Sequence, residues 1–194
     1  MRVLMLLGSL ILVFNLSLAH SPHVVESGTT QSKTNATQVA QRYFTDRLLV
    51  TQDEKEVRFY SDVLKDQIVV VNFIYTRCQD ACPLTTKKLQ QVQTLLNDSA
   101  ERTVKMVSIS TDPEWDTPER LKAFAKLHNA DRNWLFLTGS KSDIDFVIQK
   151  LGQLTPSPES HSSLFLLGNV NSGHWIKMFG YASPEQIAEQ LRNI

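Results

Sequence analysis

Two cysteines stand four positions apart, Cys78 and Cys82, and Pro83 follows the second directly. They are the chain's entire cysteine complement. A disulfide closing so small a loop would restrict the unfolded chain little, so a stabilising role is weakly motivated. Redox exchange or metal ligation explains the pair better. Two thiolates held in one turn suit Cu(I), zinc or a reversible disulfide. The spacing C-x-x-x-C is one residue longer than the usual redox pair, and the wider bite favours metal capture over pure disulfide exchange. If Cys82 opens a helix, the unpaired N–H groups of that first turn favour a thiolate over a thiol, and Pro83 loses nothing there by lacking an N–H.

A metal needs more than two ligands, and five histidines are available. His20 and His23 sit in a polar N-terminal stretch. His128 follows Leu127 near an expected helix end and reads as exposed or as a cap. His174 falls on the second arm of a late hairpin. His161 stands immediately before an apolar strand and after the loop Thr155-Pro156-Ser157-Pro158-Glu159-Ser160. On the residues alone, His161 and His174 both remain open as a third ligand, and His161 is the better aimed.

The elements that must position these groups are legible in the periodicity. Ile68 to Tyr75 is apolar with little alternation, as expected of a strand at the centre of a sheet covered on both faces. Leu89, Val92, Leu95 and Leu96 give the Thr85–Leu96 segment helical spacing. Val104–Ser110 and Trp134–Thr138 read as further strands. Thr117 before Pro118, and Ser183 before Pro184, mark two helix starts. A helix is expected over Ser142–Leu151, and a strand pair over Ser162–Leu167 and Trp175–Phe179 with a turn between. Tyr43–Tyr60 reads as a short hairpin around the polar turn Gln52–Lys55, and Tyr60–Lys65 as one helical turn. The sum is an α/β fold with a central mixed sheet and helices on both faces. Right-handed crossovers gather the carboxyl ends of its parallel strands on one edge. The cysteine turn, the Ser110–Glu114 loop and the loop before Ser162 are expected to converge there.

Composition bounds the alternatives. The 194 residues carry 20 basic and 20 acidic side chains, and 42% are apolar. One ordinary domain with a real core fits this length. A neutral chain with dispersed basic residues gives no electrostatic support to a nucleic-acid partner. Residues 1–19 combine Arg2, an apolar run over residues 3–18 and the small-x-small pattern Ser17-Leu18-Ala19, which reads as a signal peptide or an N-terminal membrane anchor. No cysteine lies nearby to carry a lipid. Residues 20–40 read as a flexible polar tether that includes an Asn35-Ala36-Thr37 acceptor pattern, and residues 41–194 as the domain. The expected location is outside the cytosol, either released or tethered to a membrane through residues 3–18.

Three stretches carry a resemblance. They are Phe73-Ile74-Tyr75-Thr76-Arg77-Cys78-Gln79-Asp80-Ala81-Cys82-Pro83, then Ser108-Ile109-Ser110-Thr111-Asp112-Pro113-Glu114-Trp115-Asp116-Thr117-Pro118-Glu119, and Trp134 to Gly139 followed later by His161-Ser162. In order and spacing they resemble the Sco/SenC family of thioredoxin-like copper proteins. The resemblance implies a thioredoxin-like fold and copper, as Cu(I) or Cu(II), on Cys78, Cys82 and His161. It implies roles in local charge and loop geometry for Asp80 and Asp112. It also implies a chaperone or assembly factor that delivers copper to the dinuclear centre of cytochrome c oxidase, or keeps the cysteines of that centre reduced. The partner would be the copper-centre subunit or another periplasmic copper or thiol protein. Ser160 stands where the family often has Asp before the ligand histidine. Two other readings use the same turn: a thiol–disulfide oxidoreductase or thiol peroxidase with Cys78 and Cys82 as catalytic thiols, and an interaction domain with an inert disulfide.

Overall fold

The computed structural model describes residues 37–79, 81–97, 103–160 and 162–194. The expected leader, most of the expected tether, Asp80 and His161 lie outside the described residues. Among the described residues no helix is long and apolar enough to cross a membrane.

Residues 37–44 form a first helix, α1. Strands β1 (Leu48–Thr51) and β2 (Glu56–Arg58) pair antiparallel in the expected hairpin, Leu48 facing Arg58 and Val50 facing Glu56. A wide, π-type helical turn, Phe59–Leu64, leads into β3 (Ile68–Ile74). Then follow α2 (Ala81–Asn97), β4 (Val104–Ser110), α3 (Pro118–Leu127), β5 (Trp134–Thr138) and α4 (Lys141–Lys150). A short 3-10 turn, Pro158–Ser160, precedes β6 (Leu164–Asn169), β7 (His174–Phe179) and α5 (Pro184–Asn193).

The seven strands form one mixed sheet in the order β2-β1-β5-β4-β3-β6-β7. The run Ile68–Ile74 occupies its interior, parallel to β4 and antiparallel to β6. Its pleat explains why, Asn72 apart, it reads as apolar with little alternation. Val69, Val71 and Phe73 face the layer that holds Phe44, the Phe59–Leu64 turn and α4. Val70 and Ile74 face the layer that holds α2, α3 and α5. The valines at 69, 70 and 71 and Ile74 are completely buried. Each such side chain contributes about 1.5–3 kcal/mol of burial.

The caps follow the sequence. Thr117 accepts from the Arg120 N–H, and Ser183 forms a full capping box with Gln186. The hairpin expectation differs at its start. Tyr43 and Phe44 are helical rather than extended, because the Phe44 ring is held between Phe59 at 6.3 Å and Trp175 at 5.4 Å. Helix α1 therefore covers the join expected at residues 40–41 between tether and domain. The β6–β7 turn closes through Gly173 at φ +71°, a conformation that favours glycine.

Candidate metal centre

Strand β3 ends at Ile74, and the chain turns back at once: the Cys78 N–H donates to the Tyr75 carbonyl at 3.1 Å. Helix α2 then begins at residue 81. The Cys82 N–H, in that first turn, points at the Cys78 Sγ, 3.4 Å away. Both residues carry thiols. Cys82 is only 1% exposed and packs into the α2–α3–α5 layer, whereas Cys78 is partly exposed. The Thr85 hydroxyl donates to the Cys82 carbonyl at 3.1 Å, which ties down the first turn of α2.

This arrangement corrects one expectation. The helix start does not favour a thiolate at Cys82. Burial pushes that thiol up from 9.0 to about 12; its bond with Cys78 and the charge of Asp116 push the same way, and only the Tyr75 backbone opposes them. The Cys82 amide is spent on the neighbouring sulfur instead of its own. The two thiols thus differ in kind: one is reachable and receives an amide, the other is dry and protonated.

The residues before Cys78 are held from outside the turn. The Asp116 carboxylate, fully buried, accepts the Thr76 N–H at 3.1 Å, the Thr76 hydroxyl at 2.6 Å and the Ser110 hydroxyl at 2.6 Å. Burial raises the Asp116 carboxyl above its ordinary range, against the lowering effect of these bonds. Arg77 forms a forked pair with Asp112, from Nε and Nη2, each at 2.8 Å. The indole of Trp115 lies between two guanidinium groups, Arg120 at 3.9 Å and Arg77 at 5.2 Å from the ring centre. A cavity of about 220 Å³ opens beside this loop, lined in part by Arg77, Asp112, Glu114, Thr155 and Pro156. Sequence reasoning gave Asp112 a role in loop geometry but gave none to Thr76, Arg77 or Asp116. The signal was present in the repeated Asp of DPEWDTPE, which places two carboxylates on one short loop.

Of the open histidines, the sheet register removes His174. It pairs with Asn169, which pairs with Ile68 at the start of β3. The cysteine turn leaves the other end of that strand, roughly 20 Å away at about 3.3 Å per residue. Of the two readings of His128, exposed or a cap, the cap holds. It is half-buried at the C-cap of α3, its ring 4.5 Å from that of Phe124, and burial lowers its pKa. His20, His23 and His161 lie outside the described residues. Among the described residues no three His, Cys, Asp or Glu side chains cluster closely enough to hold a metal ion. The chain does, however, enter β6 at the right place. Val71 pairs with Leu166 in antiparallel register, so the residues before Leu164 run past the carboxyl end of β3. The Ser163 carbonyl is fixed there by the Gly180 N–H at 2.8 Å.

A match to the SCO1/SenC family spans residues 33–194. The chain is 35% identical over 126 residues to a SCO1 protein homolog of Bacillus subtilis, covering 60% of this chain and 64%, just under two thirds, of that one. The structure of BsSco is similar at 30% identity and a TM-score of 0.66, over 77% of this chain and 91% of that one. It is described as a member of the Sco family of cytochrome c oxidase assembly proteins with a disulfide switch. The structure of Bradyrhizobium japonicum ScoI with copper bound is similar at 26% identity and a TM-score of 0.62, over 75% and 95% of the two chains.

Proposed function

The chain belongs to the SCO1/SenC family, and from that premise we propose that it takes up copper on Cys78, Cys82 and His161 and serves the assembly of the copper centre of cytochrome c oxidase. The observation that carries the reading is the pair of sulfurs at the mouth of α2, bridged by the Cys82 amide at 3.4 Å, with the lead into β6 running past the same end of β3. That lead contains His161. Two thiolates and one imidazole form a soft donor set suited to Cu(I), and the nitrogen extends it to Cu(II). Copper is cargo in this reading, so the site has to hold it and also release it. The partly exposed Cys78 is the sulfur an incoming thiolate of the recipient reaches first. Cys82 binds only after losing its proton, so uptake releases protons and weakens as pH falls. The recipient in this reading is the copper-centre subunit, met on the extracytoplasmic side of the membrane.

The test compares the reduced protein with its His161→Ala variant, by metal analysis and ultraviolet-visible spectra. The reading expects one copper per chain and thiolate-to-Cu(II) absorption. Loss of the imidazole should disturb the Cu(II) spectrum strongly and Cu(I) retention less, since the thiolates are the softer ligands. An unchanged Cu(II) spectrum in His161→Ala would remove His161 from the ligand set.

A second reading, thiol–disulfide exchange, is favoured by the inequality of the two thiols. A partly exposed attacking sulfur beside a buried resolving one is the arrangement a dithiol reductant needs. Reduction of a recipient disulfide at undiminished rate in copper-free His161→Ala protein would support it over copper delivery.

A further inference from the structure

We propose that Asp116 is the positioning residue of the thiol site: through Thr76 it fixes where the Cys78 sulfur stands relative to Cys82. The copper readout used below rests on the reading just given, and the thiol readout does not.

The bonds around Asp116 are what carry the assignment. One carboxylate oxygen takes the Thr76 hydroxyl and amide, at 2.6 and 3.1 Å, and the other takes the Ser110 hydroxyl at 2.6 Å. The strand end and the cysteine turn are therefore joined through a single side chain. The loop that bears it closes without help from that carboxylate. Its own backbone bonds run from the Asp116 N–H to the Asp112 carbonyl at 2.8 Å and from the Trp115 N–H to the same carbonyl at 3.0 Å. The Asp112 N–H goes to the Ser110 hydroxyl at 3.0 Å. Placing a carboxylate in a dry site is costly unless its lone pairs are taken up. Here the groups that take them up are the turn, 40 positions earlier in the chain, and the end of β4.

Two successive residues of that turn are held by the β4–α3 loop, and the next by the turn's own backbone. Thr76 is held by Asp116, Arg77 by Asp112 and the Cys78 amide by Tyr75. Cys82 is fixed independently, by packing in the first turn of α2. The sulfur-to-sulfur distance is consequently set by the β4–α3 loop as well as by the cysteine turn. Asp116 is closed to solvent, and its charge also bears on the Cys82 thiol; the positioning acts through Thr76, so it is the Thr76 hydroxyl that the test removes.

Thr76→Val keeps the side-chain shape and removes the hydroxyl, and Thr76→Ser restores the hydroxyl without the methyl group. The first measurement is the rate at which reduced, copper-free protein closes a Cys78–Cys82 disulfide with oxidised glutathione, which accepts the two electrons. The second is the position of the thiolate-to-Cu(II) band. Thr76→Val is expected to change the closure rate at least fivefold and to shift the band, and Thr76→Ser to return both to wild-type values. A folded Thr76→Val protein with the wild-type rate would overturn the proposal. So would a Thr76→Ser protein as disturbed as Thr76→Val, since the hydroxyl would then not matter. If Thr76→Val does not fold, Thr76→Ala replaces it, which removes the same hydroxyl and leaves the Asp116 charge in place: a changed closure rate supports the positioning role and a wild-type rate overturns it. If the wild-type protein takes up no copper, the copper reading fails, and the closure rate alone decides the role of Asp116.

Discussion

Alkylation of the reduced protein should label Cys78 and spare Cys82, by a margin that follows from burial. The Cys82 thiol is pushed from 9.0 to about 12, chiefly because its thiolate would lie in a dry layer. At any pH below about 9 its thiolate population is then about a thousandfold smaller than that of an ordinary cysteine, since each pH unit is a factor of ten. Steric access lowers the rate further, because only 1% of the residue is exposed. The thiolate is the nucleophile, so both factors multiply. Iodoacetamide at pH 8, quenched over time and mapped by peptide mass, should therefore place label on Cys78 long before any reaches Cys82. In 6 M guanidinium the two should label alike. The unfolded-to-folded rate ratio at Cys82 is expected to be about 1,000-fold or more. A ratio below tenfold would refute the argument, because it would mean that Cys82 meets solvent or a stabilising donor that the fold does not provide.

The same burial predicts a pH dependence of stability. Cys82 is held as a thiol with its folded pKa above the unfolded value, so its contribution is fully present below about pH 9 and is lost as pH rises toward 12. Guanidinium midpoints of wild type and Cys82→Ala should converge across that window. Gly168→Ala should cost about 1–3 kcal/mol by thermal denaturation, an overpacking effect. A Cβ at that position would meet the Trp175 ring at 2.5 Å, and that ring is needed against Phe44. Ser183→Ala should cost about 1 kcal/mol by loss of the α5 capping box, read as a lower midpoint with an unchanged denaturant slope.

What could be read in the sequence was whatever local chemistry decides. The β3 run and the Thr117 and Ser183 caps depend on residues near one another, and each stands where the pattern puts it; of the Tyr43–Tyr60 hairpin, Leu48 to Arg58 pair as expected, while Phe59 opens the helical turn instead of extending the strand. Helix α1 was read as tether and strand because its polar sequence gains its place from distant rings, Phe59 and Trp175. His128 is the cap that a helix-end pattern allows, while the ring laid over Phe124 leaves no trace in that pattern. Cys82 was read as a thiolate because a helix start is visible in sequence and the layer that covers it is not. Asp116 was passed over for a similar reason. An Asp in a polar loop is ordinarily solvated, and only its burial against Thr76 and Ser110 shows otherwise.

One strand end explains why pieces so far apart in the chain can act together. The cysteine turn leaves β3 at Ile74. The β4–α3 loop leaves β4 at Ser110, and the parallel register sets Ser110 beside Ile74. The lead into β6 arrives on the other side of β3, set by the antiparallel pairing of Val71 with Leu166. Two ladders on one strand thus bring segments around residues 76, 116 and 163 to a single edge. Both faces of β3 are apolar, so packing holds its register: a slip by one residue would move Phe73 into the α2–α3–α5 layer and take Asn72 from its bond with the Ser108 hydroxyl. Val70 and Ile74 would then leave the α2–α3–α5 layer, where each is completely buried. The core that keeps the sheet in register is in this sense also what keeps the thiol site assembled. Exposed loop substitutions away from Thr76, Arg77 and Asp116 should therefore leave the two sulfurs where they are, whereas a polar residue at Val70 should scatter them along with the fold.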